Sequence, residues 1–379
     1  MSLGGWGYCY LAGAIEDDRW THSPLTIEAR RKAKFTGPVS SFLEKSSEQI
    51  FRQMSNYVRV CDRCCKSCGK TLTSCNNCAY DISNTPVTRT NNALMAFVYG
   101  LEPFPTSIRY EDEFFLVYDD LMQTTLIHLN SIPTDTYIPD FRYLFLNPSR
   151  GIEIIDSLFE KATRAATEML KVEGFCRKFL SSDALELLHA MGPDKFIRRF
   201  VFSGFNYPPS QCQLHLQFIL PPYVPYHAVL LAEGKHSDKD RFFTYDFLRN
   251  CLQKMVEKQK RILVGEIDSM IGRELVKYIQ DRLDVDYYKS YHESLARHRD
   301  NDKFLGNWTR SDFKYVVVDK RIVFPVEVLD GEQLVPLDMK PAEIQARDKD
   351  AITSYGKGTG LQYYSFAKEP DQVEDWVDT

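Results

Sequence analysis

Six cysteines fall between positions 61 and 78, in the string Cys61-x-x-Cys64-Cys65-x-x-Cys68-Gly69 followed by Cys75-x-x-Cys78. No other feature restricts the chain as tightly. A Cys-x-x-Cys turn aims two thiolates at one point, and tetrahedral zinc takes four soft ligands. The remaining cysteines, Cys9, Cys176, Cys212 and Cys251, are scattered. A disulfide-framed exported protein spreads its cysteines, whereas local pairs read as metal ligands in a reducing compartment. The spacing therefore predicts a structural zinc segment over 61–80. Cys65, Cys68, Cys75 and Cys78 make the nearest quartet, and Gly69 relieves the turn behind Cys68. Cys61, Cys64, Cys75 and Cys78 form the alternative, with a wider gap closer to a common zinc ribbon. Arg63, Lys66 and Lys70 lie in the segment, but no aromatic residue precedes Tyr80, which is a poor pattern for base stacking. The simplest role for the metal is a staple.

The rest of the chain can build a sizeable core. It has 379 residues, 44% of them hydrophobic, which suffices for one large or two medium domains. A net charge of −5 gives no electrostatic basis for a nucleic-acid or anionic-membrane partner. No apolar run approaches the roughly 20 residues of a membrane-spanning helix. Near the N-terminus, Glu16, Asp17 and Asp18 interrupt the apolar residues and no basic start precedes them, so no export signal is expected. These features place the protein in the cytoplasm, with the nucleus as the second compartment.

Residues 40–58 carry apolar side chains at helical spacing (Phe42, Leu43, Ile50, Phe51, Met54), which predicts an amphipathic helix leading into the cysteines. The basic run at 30–34 reads as solvated surface, and Ser83-Asn84-Thr85-Pro86 as a turn. Apolar runs at 114–118, 124–132, 200–205 and 214–220 have strand length. Between them, 151–172 places Ile154, Ile155, Leu158, Phe159, Ala162, Ala165, Ala166, Met169 and Leu170 on one helical face. Long amphipathic helices are expected at 243–260 and 267–283, and a hairpin about Asp319-Lys320. His292 and His298 lie among tyrosines and arginines on what reads as a solvated helix face. The acidic end, 370–379, reads as loose.

The chemistry is concentrated in Ser210-Gln211-Cys212-Gln213-Leu214-His215-Leu216-Gln217. Side chains alternate on a strand, so Leu214, Leu216, Phe218 and Leu220 share one face, and Gln213, His215 and Gln217 the other. The second face sets an imidazole between two carboxamides, each about 7 Å along the strand. A neutral imidazole is a good nucleophile toward phosphorus, and carboxamides donate to phosphoryl oxygens without adding charge. Ser210 and Gln211, in the turn before the strand, and Asn206 just upstream are candidate phosphate and substrate contacts.

This stretch resembles the active-site strand of the histidine-triad superfamily, in particular its nucleotidyltransferase branch of diadenosine tetraphosphate phosphorylases and galactose-1-phosphate uridylyltransferases. His128-Leu-Asn-Ser-Ile132-Pro133 is similar to that family's earlier His-(apolar)-Ile-Pro strand, with the long helix between the two. The resemblance covers roughly 95–225. It implies an α+β fold: a histidine-triad-like antiparallel sheet with helices over 90–225, joined to an N-terminal extension (1–60), the zinc segment (61–80) and a mainly helical C-terminal extension (226–379). It implies that His215 attacks the α-phosphorus to form a nucleotidyl–histidine, that Gln217 hydrogen-bonds this intermediate, and that Ser210 contacts phosphate. A dinucleoside polyphosphate or a nucleoside-diphosphate sugar would be the substrate; separately, a homodimer is the expected assembly. His128 has a structural role at this position. Gln213 stands where the family's first histidine stands, so that histidine's metal-binding role is not carried over. Thr134 and Thr136 replace basic and histidine positions after Pro133. Lys235, His236 and Arg241 are candidates to restore the lost charge, and Gly356-Lys357-Gly358-Thr359-Gly360 is a weak phosphate-cradle candidate without Walker spacing. The competing reading is a catalytically silent scaffold that binds a nucleotide or a partner.

Overall fold

The computed structural model describes residues 48–306, apart from 64–66, 76–79, 100–107, 121–123, 173–175, 178–179, 224–230, 232–236 and 238, together with four short strands between 316 and 335. A helix, Glu48–Gln53, leads into β1 (Ser55–Val60), β2 (Ser67–Gly69) and β3 (Val87–Asn91). These form a small antiparallel sheet in the order β2-β1-β3. The helix expected over 40–58 is therefore corrected: 55–60 is a central strand. Val58 and Asn56 point inward and are buried while Tyr57 is exposed, an alternation that sheet pairing rewards and helical spacing does not.

After the helix Ala93–Val98 come β4 (Ile108–Glu111), β5 (Phe115–Asp119) and β6 (Thr125–Pro133), a 3-10 turn (Phe141–Leu146) and the long helix Pro148–Leu170. That helix starts three residues earlier than the apolar periodicity, because Asn147 caps it by accepting from the Arg150 N–H and Pro148 suits its first turn. Two helices, Ser182–Met191 and Pro193–Phe200, precede β7 (Phe202–Asn206), β8 (Leu216–Tyr223) and β9 (Phe242–Thr244). Strands β4 to β9 build a second, six-stranded sheet in the order β4-β5-β6-β8-β7-β9, with every pair antiparallel. The protein is thus α+β.

Val117, Leu129 and Phe218 point from the sheet toward the long helix, whose apolar stripe completes the main core, with the Phe159 ring 5.6 Å from that of Phe218. On the opposite face, Leu116, Tyr118 and Ile132 pack with Met54 and the helix Ala93–Val98. The main core continues past 225. Residue 243, expected in a helix, belongs to β9, and the helix Tyr245–Lys258 begins behind it with Thr244 as its cap. At this edge a Cβ on Gly204 would lie 2.5 Å from the Phe243 carbonyl oxygen, so only glycine lets β7 and β9 pair.

The helix expected over 267–283 divides into Val264–Ile267 and Gly272–Leu283. The last long helix, Tyr287–Leu305, is not a solvated surface. Tyr287, Tyr291 and His298 are buried, and the His298 ring stacks on Phe202 at 4.2 Å. This helix covers the far end of β8, where Asp302 accepts from the Tyr223 N–H (2.6 Å). Beyond it lie the hairpins β10 (Val316–Val318) with β11 (Arg321–Val323) and β12 (Val326–Glu327) with β13 (Leu334–Val335). The first is the hairpin expected about 319–320. None of the described helices is long and apolar enough to cross a membrane.

Candidate functional site

Strand β8 begins one residue after His215, so the histidine sits at the mouth of the strand, half-buried, while all eight strand residues are buried. Its Nδ1 lies 2.7 Å from the Gln213 carbonyl oxygen. A carbonyl only accepts, so Nδ1 carries the proton and the lone pair lies on Nε2. The loop thereby sets the tautomer of the imidazole.

Gln217 is buried within a directional chain of hydrogen bonds. The Thr124 N–H points at His128 Nδ1 (3.2 Å), and His128 Nε2 is 2.6 Å from Gln217 Oε1. Gln217 Nε2 donates to Asn130 Oδ1 (2.7 Å), and Asn130 Nδ2 donates to Asp120 Oδ2 (2.8 Å). A backbone N–H can only donate and a carboxylate can only accept, so the polarity of every member is fixed by the two ends. His128 is then neutral with its proton on Nε2, and Gln217 keeps one amide N–H beyond the bond to Asn130. Asn130 and Gln217 are direct cross-strand partners on β6 and β8, which holds this geometry on rigid elements.

Gln213 departs from the expected substrate contact. It is fully buried. Its Oε1 accepts from the Ile138 N–H (3.0 Å), and its Nε2 donates to the carbonyls of Pro133 and Thr136 (2.8 Å each). It bolts the exit of β6 to the loop before β8. One side chain here supplies an acceptor and two donors at once, which an imidazole cannot do. Gln211 is also engaged: its Oε1 accepts from Asn56 Nδ2 (2.9 Å) and from the Ala93 N–H (2.8 Å). Ser210 and Asn206 are half-buried, near His215 in sequence and at the end of β7 respectively. Cys212 sits in the same loop. Burial first, then the Asp140 carboxylate, pushes its thiol up to about 11 against the opposing fields of Lys70 and Arg142, so it is no competing nucleophile.

Arg142 is committed elsewhere, to Asp140 through Nε (2.9 Å) and to the carbonyls of Ile267 and Asp268 (2.9 Å each). Of the other cation candidates, Arg241 reaches Ser74, while Lys235, His236 and the 356–360 segment lie outside the described residues.

Of the expected zinc ligands, Cys68 on β2 and Cys75 are buried, as is Cys61 at the end of β1; Cys64, Cys65 and Cys78 lie outside the described residues. Ser74 and Asp81 form a bridge, and the Cys75 N–H donates to the Tyr80 carbonyl (2.7 Å). Among the described residues, no three His, Cys, Asp or Glu side chains come together as a metal site.

The sequence offered no sign of Asn56, Asn130 or Asp120. Asn56 reaches Gln211 across 155 positions, a distance at which no local motif is readable.

No family model and no curated protein matches the chain. Among solved structures, it is similar to Hnt3 in complex with DNA and guanosine, at 15% identity over 55% of this chain and 98% of the other, with a TM-score of 0.27. It is also similar to the aprataxin ortholog Hnt3 from Schizosaccharomyces pombe, at 16% identity over 50% of this chain and 87% of the other, with a TM-score of 0.25.

Proposed function

We propose that the chain is a nucleotidyltransferase or phosphorylase that works through a covalent nucleotidyl–His215. The observation that carries this reading is the 2.7 Å contact of His215 Nδ1 with the Gln213 carbonyl, which puts the imidazole lone pair on Nε2, the atom proposed as nucleophile. Nε2 attacks the α-phosphorus, the bond from phosphorus to the bridging oxygen breaks, and the departing nucleoside polyphosphate or sugar phosphate takes a proton from solvent. An incoming phosphate or other acceptor then attacks the same phosphorus and releases the imidazole. The remaining amide N–H of Gln217, held by His128 and Asn130, donates to the phosphoryl oxygen, and a fixed donor aimed where charge develops stabilises the transition state without reorganising. Ser210 and Asn206 contact the substrate. A dinucleoside polyphosphate or nucleoside-diphosphate sugar is the substrate class, in a cytoplasmic protein.

The buried thiols of Cys68 and Cys75 support a structural zinc, with Cys65, Cys68, Cys75 and Cys78 as its ligands. The all-thiol donor set suits zinc in a closed site that takes no part in the chemistry.

Intact-mass analysis after incubation with diadenosine tetraphosphate or a uridine-diphosphate sugar tests the reading. An acid-labile nucleotidyl adduct is expected on the wild type, with none on His215→Ala while nucleotide affinity is nearly kept. Turnover that survives His215→Ala would place the chemistry elsewhere.

A further inference from the structure

Among the described residues, the cations considered so far for the phosphates of this site are engaged elsewhere. Arg142 is consumed by Asp140 and two carbonyls, Arg109 by Asp119, Lys161 by Asp112, and Arg241 bonds Ser74. We propose that Lys70, carried by the cysteine-bearing sheet, is the substrate-phosphate-binding cation of the His215 site, and that Asn56 is the positioning residue that registers this sheet against the motif loop. The proposal rests on the reading of His215 as a nucleotidyl acceptor and adds the second wall of that site.

Three independent contacts place Lys70. First, the backbone of β2 lies directly on the motif loop: a Cβ on Gly69 would be 3.0 Å from both the carbonyl oxygen and Cγ of Pro208, two residues before Ser210. Glycine at 69 is what permits that approach, and Lys70 follows it. Second, Asn56 on β1 grips the same loop at two points. Its Nδ2 donates to Gln211 Oε1 and its Oδ1 accepts from the Cys212 N–H, each at 2.9 Å. Asn92, which follows β3, adds a third grip on the Cys212 carbonyl (3.3 Å). Third, Arg59 Nε donates to the Lys70 carbonyl (3.0 Å), which fixes the backbone from which the lysine side chain projects.

The side chain itself is exposed and makes no ion pair among the described residues. Its charge is felt at Cys212, where it opposes the effect of burial on the thiol. A lysine side chain spans about 6 Å, and its neighbour Gly69 already touches Pro208, two residues before Ser210. An ammonium at that place acts as a compact point charge on a phosphate, which is how lysine serves in phosphate sites. It supplies the charge missing at Thr134 and Thr136, from a different part of the chain.

The test measures binding and chemistry separately, on the full chain. Inorganic triphosphate is titrated calorimetrically into the wild type, Lys70→Met, Lys70→Arg and Lys195→Met, the last removing an exposed lysine on the helix Pro193–Phe200. Lys70→Met should weaken binding about ten-fold, Lys70→Arg should restore most of it, and Lys195→Met should change nothing. Triphosphate should also protect His215 of the wild type from diethylpyrocarbonate, read by peptide mass. A wild type that does not bind triphosphate, an unchanged affinity in Lys70→Met, an equal loss in Lys195→Met, or absence of protection at His215 would each overturn the proposal. For Asn56, Asn56→Ala should lower the rate of adduct formation at saturating nucleotide with little change in the affinity for nucleotide, and an unchanged rate would remove its positioning role. If triphosphate binds through Lys70 but His215 never forms an adduct, the transfer reading fails and Lys70 stands. If adducts form and Lys70→Met matches the wild type in triphosphate affinity, Lys70 alone fails.

Discussion

All eight residues of β8 are buried, and none of the five in β3 is. The six-stranded sheet has a helix on each face and an apolar core running from Val117 to Leu305. The three-stranded sheet has a handful of buried side chains, among them Val58, Leu72, Ile82 and the thiols of Cys61, Cys68 and Cys75. Burial of apolar area, at about 25 cal/mol per Å², is ample to order the first sheet and scant for the second. The small sheet must find its stability outside its own core, in polar contacts to its larger neighbour and in the proposed metal. It nevertheless forms one side of the motif loop, so the part of the molecule with the least core of its own helps to shape the site.

Removing metal should break this comparison most sharply. If the proposed zinc is bound, then after thiol modification or strong chelation amide exchange protection should vanish over 55–91 and persist on β5, β6 and β8, because small zinc units are folded by their metal. Uniform protection in both sheets would mean that the small one stands on its contacts alone.

The next effect belongs to the joint between β6 and the motif. Gln213→Ala orphans the Ile138 N–H and the carbonyls of Pro133 and Thr136, at about 1–3 kcal/mol for each buried group left without a partner. The variant should lose about 4 kcal/mol in denaturant titration, by the same reckoning. Gln213→His should recover only part of that, and so should not raise activity. Full stability in Gln213→Ala would return this residue to the substrate side.

Asn56→Ala, at the seam between the two sheets, orphans the Cys212 N–H and should cost about 2 kcal/mol. A smaller signature lies in the large sheet. Burial raises the Asp302 carboxyl to about 6 despite the Tyr223 N–H, which lowers it. Between the unfolded value near 4 and this folded value, the folded state binds the extra proton, so stability falls as pH rises through that window. Asp302→Asn keeps an acceptor for the Tyr223 N–H without the charge. Melting temperatures measured from pH 4 to 7 should show a flatter dependence in the variant, by roughly one or two degrees.

Much of this architecture is written locally. The apolar stripe of the long helix, the strand runs of β5, β6, β7 and β8 and the hairpin about 319–320 follow from periodicities of 3.6 and 2, which need only neighbours in sequence. The same alternation placed Leu216, Phe218 and Leu220 on the core side and made His215 the natural nucleophile candidate. Tertiary structure decided the remainder. It made 55–60 a strand by giving it partners on both sides, turned 242–244 into a sheet edge, buried His298 under Phe202, and buried Gln213 among backbone groups. A polar side chain bonds to whichever donors and acceptors the folded backbone leaves unpaired nearby. For Gln213 these are groups at 133, 136 and 138, and for Asn56 a loop 155 positions away. Those groups become neighbours only once the two sheets have met.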